Sequence, residues 1–259
     1  MKPEIVGIVN ITDDSFSDGT LDVDAAIAHG ERLLADGADW LDLGAESSNP
    51  AGVGVPAEVE VRRLMPLIHY FRGRIRLSVD TVKPTVMAAA LDAGVEMIND
   101  VSGGADSASY QVLRDHSHAR WVLMHARNRG ARAERVDHGA TDVLDAVEAF
   151  VEERMRTCGV APERLILDPG MGFFLGSGPE PSLAVLRGLP WLSALGFPLY
   201  VGVSRKSFLG ALTSRAVHER GAATLAAELW AAEQGVAYLR THDVRALADA
   251  LTVWSALRR

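Results

Sequence analysis

The chain has one cysteine, Cys158, in 259 residues, so it can form no internal disulfide. That excludes the stapled scaffolds of small secreted proteins and suits a reducing compartment, so a cytoplasmic protein is expected. It also lacks any run near the ~18 apolar residues that a membrane helix needs. The start, Met1-Lys2-Pro3-Glu4, has no apolar core of the signal-peptide kind. Positive charge is in deficit. The 26 Lys and Arg against 34 Asp and Glu leave a net charge of −8, which argues against the basic face of a nucleic-acid binder. Neither a membrane nor a nucleic-acid partner is expected. Hydrophobic residues make up 48% of the chain, enough for a large core and far from disorder.

Short apolar runs alternate with helical patterns along the whole length. Strand patterns fall at 5–9, 40–43, 75–79, 97–98, 121–124, 165–167, 199–203 and 237–239. They are rich in Val, Ile and Leu without strict alternation, as parallel strands covered on both faces are. Helical patterns fall between them at 23–35, 57–70, 84–93, 107–116, 141–157, 180–194, 219–234 and 245–257. Pro56 and Pro84 suit first helical turns, while Gly37, Gly94, Gly159 and Gly235 suit helix exits. Eight β/α pairs without a linker predict a single-domain α/β fold over 1–259, a (β/α)8 TIM barrel. A doubly wound open sheet is the alternative.

In such a barrel the chemistry sits where strands end and βα loops begin. The polar residues there are Asn10, Asp42 with Glu46, Asp80, Asn99, His125, Asp168, Ser204 with Lys206, and Arg240 with His242. Their convergence on one rim predicts an active site. Asp80 and Asn99 could instead cap the helices that follow, and Asp168 before Pro169 could simply start a turn. The Asp168-Pro-Gly-Met-Gly-Phe-Phe174 stretch can bring backbone close to a flat ligand, with Phe173 or Phe174 touching it or sitting in the core. Ser204-Arg-Lys-Ser207 follows a strand and opens a short helix, a place for an anion, with the Lys206 ammonium beside it. The loops that start at Asn10 and Ala45 are long, polar and rich in Gly, as lids over a barrel mouth are.

The ordered motifs carry a resemblance. Gly7-Ile-Val-Asn-Ile-Thr-Asp-Asp-Ser-Phe-Ser-Asp-Gly19 and Asp42-Leu-Gly-Ala-Glu-Ser-Ser-Asn-Pro50 resemble the first two signatures of the dihydropteroate synthases. Ser78-Val-Asp80, Asn99-Asp-Val-Ser-Gly-Gly104, Met124-His125, Asp168-Pro-Gly-Met-Gly-Phe173, Gly202-Val-Ser-Arg-Lys-Ser-Phe208 and Arg240-Thr-His242 follow in family order. The resemblance implies that 4-aminobenzoate displaces pyrophosphate from 6-hydroxymethyl-7,8-dihydropterin pyrophosphate, with Mg²⁺ on the leaving group. It implies pterin contacts at Asp80, Asn99, Asp168, Lys206 and Arg240, of which Asp80, Lys206 and Arg240 act on the chemistry. Asn10, Arg240 and His242 are implied at the pyrophosphate, with Asn10 as a metal ligand. Ser48, Pro50, Phe173 and Ser207 are implied around the aminobenzoate.

The chain departs from the family pattern at Asp13, where Pro is usual, and at Ser48-Asn49-Pro50, where Thr-Arg-Pro is usual. It also has Thr241 in place of an apolar residue. The sequence is similar to the branch that contains sulfonamide-insensitive members. Those members carry a Phe-Gly insertion where this chain reads Ser102-Gly103-Gly104-Ala105, so sensitivity to sulfonamides is expected. The rival readings are a pterin-dependent methyltransferase domain and a pterin-binding paralogue without turnover. The apolar excess of the helices at 222–232 and 246–256 predicts a homodimer.

Overall fold

The computed structural model describes residues 2–11, 23–46, 54–127 and 142–258. Asp13, Ser48, Asn49 and Pro50, and with them the tips of both expected lids, lie outside the described residues. The strands are β1 (Glu4–Asn10), β2 (Trp40–Gly44), β3 (Arg76–Asp80), β4 (Met97–Asp100), β5 (Arg120–Met124), β6 (Leu165–Asp168), β7 (Tyr200–Val201) and β8 (Tyr238–Thr241). The helices are α1 (Val23–Ala35), α2 (Ala57–Phe71), α3 (Pro84–Asp92), α4 (Ala108–Asp115), α5 (Val143–Thr157), α6 (Glu180–Ser193), α7 (Ser207–Thr213), α8 (Gly221–Glu233) and α9 (Val244–Leu257).

All strand pairs are parallel, in the order β6-β5-β4-β3-β2-β1-β8-β7. A bridge between Leu167 and Leu199 joins the two ends of that sheet. The result is a (β/α)8 barrel, with α7 as an extra helix between β7 and α8. The sequence pattern places the elements to within a residue or two, and β7 is the most shortened of them. There, 199–203 is predicted and only Tyr200–Val201 pairs with β8. The chain turns early, with Lys206 N donating to Val203 O, and carries Ser204 and Lys206 out of the ladder. Pro84 starts α3 as expected, whereas Pro56 stands one residue before α2. Gly37 and Gly94 take φ values of 98° and 97° at the exits of α1 and α3, a region that an L side chain rarely enters.

Period-two alternation sorts every strand into two faces. Ile5, Val9, Leu41, Leu43, Leu77, Val79 and their counterparts face the helices in one large core. Close packing there is strict. A Cβ on Gly30 of α1 would come within 2.5 Å of the Phe71 ring of α2. Facing inward, Val6, Trp40, Met97, Val122, Ile166, Tyr200 and Tyr238 form a separate apolar layer that fills the barrel. The residues two positions further along those strands therefore stand above this layer, towards the C-terminal rim.

An ionisable group also lies on the helix side of the barrel. Glu228 of α8 is 2% exposed, takes a hydrogen bond from Thr241, and has no partner for Oε1 among the described residues. Burial pushes its carboxyl up to about 8, against the pull of the Thr241 hydroxyl and with a push from Asp243. The folded chain therefore keeps a proton that the unfolded chain releases above about 4.5, so stability falls as pH rises between those values. At ~1.4 kcal/mol per pKa unit the total is on the order of 5 kcal/mol. Glu228→Gln is expected to flatten thermal stability between pH 5 and 8 and to raise Tm at pH 8. Parallel Tm-against-pH curves for the two proteins would contradict this.

Candidate active site

Asp42 is the hub of the inner face. It lies two residues beyond Trp40 on β2 and is fully buried. Ser78 Oγ donates to its Oδ1 at 2.6 Å, and Asn99 Nδ2 donates to its Oδ2 at 3.1 Å. Arg240, two residues beyond Tyr238, donates from Nε to the same Oδ2 at 2.7 Å. Its Nη2 donates to Asp80 Oδ2 at 3.0 Å. Strand register makes the cluster: Asp42 is level with Ser78, and Asp80 is level with both Gly44 and Asn99. Three strands, β2, β8 and β3, thus deliver one carboxylate–guanidinium–carboxylate chain, and β4 adds Asn99 beside it.

Electrostatics sharpen each group. Burial pushes Asp80 up to about 7, held back by Arg240 and raised further by Asp42 and Glu60. Burial also pushes Asp168 up to about 6, although Gly170 N–H donates to its Oδ1 at 2.8 Å and Lys206 and Arg240 draw it down. Burial lowers Lys206, as does Arg240, while Asp168 and Asp80 support its charge. The Arg240 guanidinium is held charged by Asp42 and Asp80 despite its burial. Because Arg240 donates to Asp42 Oδ2, the Asn99 amide must turn its NH2 there too. Asn99 Oδ1 is then a buried acceptor with no partner among the described residues. Asp168 and Asn99 Oδ1 are acceptors of the kind that a flat ligand with ring N–H groups needs.

At the rim, His242 Nδ1 lies 2.9 Å from Ser204 Oγ, and burial lowers the imidazole to about 3, so it is neutral. With the Ser204 hydroxyl donating to Nδ1, Nε2 carries the proton and can donate to an anion. Asn10 ends β1 exposed. A Cβ on Gly44 would stand 3.3 Å from Asn10 Oδ1 and 3.7 Å from the Asp80 Cβ, so only glycine leaves the space between them clear. No group of three His, Cys, Asp or Glu that could cage a metal occurs among the described residues. Mg²⁺ needs no such cage, since it keeps several waters and binds chiefly through phosphate oxygens. An amide oxygen beside an open space fits that chemistry.

The β6 loop and the start of α7 form the remaining wall. Ser207 Oγ is buried with no partner among the described residues. Phe173 is partly exposed, and Phe174 is buried in a small cluster with Val101 and Met124. Of the two aromatics left open by the sequence, Phe174 is buried in this cluster and Phe173 packs against it, partly exposed.

Several readings of the sequence change here. Asp80 and Asn99 do not cap the following helices, whose caps are Lys83 and Ser107. His125 does not join the rim cluster. Its ring packs edge-on against Phe150 of α5 at 5.6 Å, because alternation sends it outward and Met124 inward. Asp42 was legible only as a strand-end carboxylate, yet it holds the site together. A carboxylate two residues after an inward Trp, on a strand otherwise apolar, is the local signal that marks it.

The chain matches the pterin binding enzyme family over residues 6–242. It is 46% identical over 261 residues to the dihydropteroate synthase type-3 of Escherichia coli, covering 98% of this chain and 99% of that protein. It is 40% identical to the dihydropteroate synthase of Neisseria meningitidis serogroup B, covering 99% and 93%. Among solved structures, the Xanthomonas albilineans dihydropteroate synthase with 4-aminobenzoic acid superposes with a TM-score of 0.90 at 42% identity, over 99% of this chain and 93% of that one. The same enzyme in complex with 7,8-dihydropteroate gives 0.86 at 41% identity, over 99% and 94%.

Proposed function

The chain belongs to the pterin binding enzymes and, within them, to the dihydropteroate synthases, and on that premise we propose how its residues divide the work. It is a transferase of folate biosynthesis. The amine of 4-aminobenzoate displaces pyrophosphate from 6-hydroxymethyl-7,8-dihydropterin pyrophosphate, and dihydropteroate is formed.

The observation that carries the assignment of roles is the Asp42–Arg240–Asp80 chain with the free acceptor of Asn99 beside it. Asn99 Oδ1 and Asp168 accept from the ring N–H and amino groups of the pterin, and Lys206 donates to its carbonyl or a ring nitrogen. Arg240 lies against the ring and, with Asn10 and His242, meets the pyrophosphate. Mg²⁺ bound there with the Asn10 amide oxygen would neutralise charge on the leaving group. The bond from the exocyclic methylene to pyrophosphate oxygen breaks, and positive charge spreads over the pterin. Asp80, ionised and desolvated, stabilises that charge. The amine nitrogen then bonds to the methylene, and its proton leaves with pyrophosphate, so the scheme needs no protein base. Ser207 and Phe173 hold the aminobenzoate, together with Ser48 and Pro50.

We read residues 1–259 as one such domain in a cytoplasmic homodimer. Trp230 of α8 and Val253 and Leu257 of α9 are large apolar side chains left exposed on two helices in contact, and they support the dimer. No described helix is long and apolar enough to cross a membrane.

Incubation with labelled 4-aminobenzoate, the pterin pyrophosphate and Mg²⁺ is expected to give dihydropteroate, with turnover that falls on titration with a sulfonamide. Pterin binding without product would mark a non-catalytic relative. Undiminished turnover at high sulfonamide would overturn the expected sensitivity.

A further inference from the structure

One turn of the β6 loop seats the whole Lys206 side chain. A Cβ on Gly172 would stand 3.3 Å from Lys206 Cδ and 3.5 Å from its Cβ, so the stem of the lysine lies on that glycine. Two residues on, the Phe174 ring centroid lies 5.1 Å from Lys206 Nζ. The ring is itself fixed. Phe174 is 4% exposed, packs with Val101 and Met124, and its carbonyl accepts from Arg127 N at 3.0 Å. Asp168, which opens the same loop, and Asp80 of β3 support the ammonium charge, while Arg240 of β8 opposes it.

We propose that Phe174 is a positioning residue, whose ring face seats the Lys206 ammonium and so sets where it meets the bound pterin. This rests on the reading of Lys206 as a pterin contact. An ammonium is attracted to a ring face by the ring quadrupole, more so when both are out of water. Asp168 and Asp80 supply opposite charge and Arg240 repels, but none of these constrains the stem and the head together. The ring does, because it belongs to the turn that carries the stem.

The test compares Phe174→Leu and Phe174→Met, which keep apolar bulk without a ring, with Phe174→Tyr, which keeps the face. Lys206→Met calibrates the series. Pteroic acid affinity is measured by calorimetry from pH 6 to 10, with Tm and the KM values of both substrates. The Leu and Met variants are expected to bind pteroic acid about tenfold more weakly, in the range of a desolvated cation–π contact. Their KM for the pterin pyrophosphate should rise more than that for 4-aminobenzoate. Binding should also fail at lower pH than in the parent, since an unsupported ammonium loses its proton sooner, while Tyr should stay near the parent. If Leu and Met bind like the parent while Lys206→Met is weak, the positioning role is wrong and the Lys206 contact stands. Equal losses in Leu and Tyr would show packing alone and overturn the proposal. Parent-like binding by Lys206→Met would remove the Lys206 contact and the proposal with it.

Discussion

Asp80→Ala is expected to lower turnover about a thousandfold or more while the barrel stays folded. Removal of a preorganised charge aimed at charge that develops in the transition state typically costs about 10²–10³ in rate. Asp80 also loses its place at the pterin, which adds to that figure. Two features make the fold tolerant. Asp80 ends β3 rather than lying inside it, and Arg240 keeps its 2.7 Å bond to Asp42 when the 3.0 Å bond to Asp80 is gone. The carboxyl is pushed up to about 7, so the parent should lose rate as pH falls through that region. An Asp80→Asn protein should lack that acid limb. Steady-state kcat with Tm as a control checks the prediction, and turnover within tenfold of the parent would remove Asp80 from the chemistry.

Replacement of Asp42 should damage both fold and binding. Three donors converge on its two oxygens, from Ser78, Asn99 and Arg240. Asparagine at this position keeps the shape but puts an NH2 against one of those donors. Breaking a buried pair by loss of one partner costs roughly 3–5 kcal/mol, because the remaining charge is left uncompensated. Asp42→Asn is therefore expected to unfold at markedly lower denaturant than the parent. Pterin affinity should fall as well, since the Asn99 amide loses the partner that orients Oδ1 and Arg240 keeps Asp80 alone. The contrast with Asp80→Ala is diagnostic. If Asp42→Asn were as stable as the parent, the hub would not be structural, and affinity loss would have to come from the charge itself.

The structure brings part of the predicted rim together and turns other members away. Asp80, Asn99, Asp168, Lys206 and Arg240 come together, and each stands at or just beyond a strand end where the sequence places it. His125 has the same position in its own strand, yet it faces Phe150. The difference is one residue of pleat, which the apolar run Trp121–Met124, without alternation, does not reveal. Phe173 and Phe174 are indistinguishable by type, and only the turn that seats Lys206 separates them.

The sequence by itself determined the barrel, because eight apolar runs and eight helical periods are local patterns that each segment carries alone. It also determined the kinds of group on the rim, and through their order the family. A single cysteine excludes disulfide staples, so this fold rests on its packed core. Only the tertiary structure decided which groups are paired. Asp42 and Arg240 are 198 residues apart, and their bond exists because β1, β2 and β8 are neighbours in the ring. Pairing and desolvation, which set the charge of every group in the site, depend on that closure and are not written in any one segment.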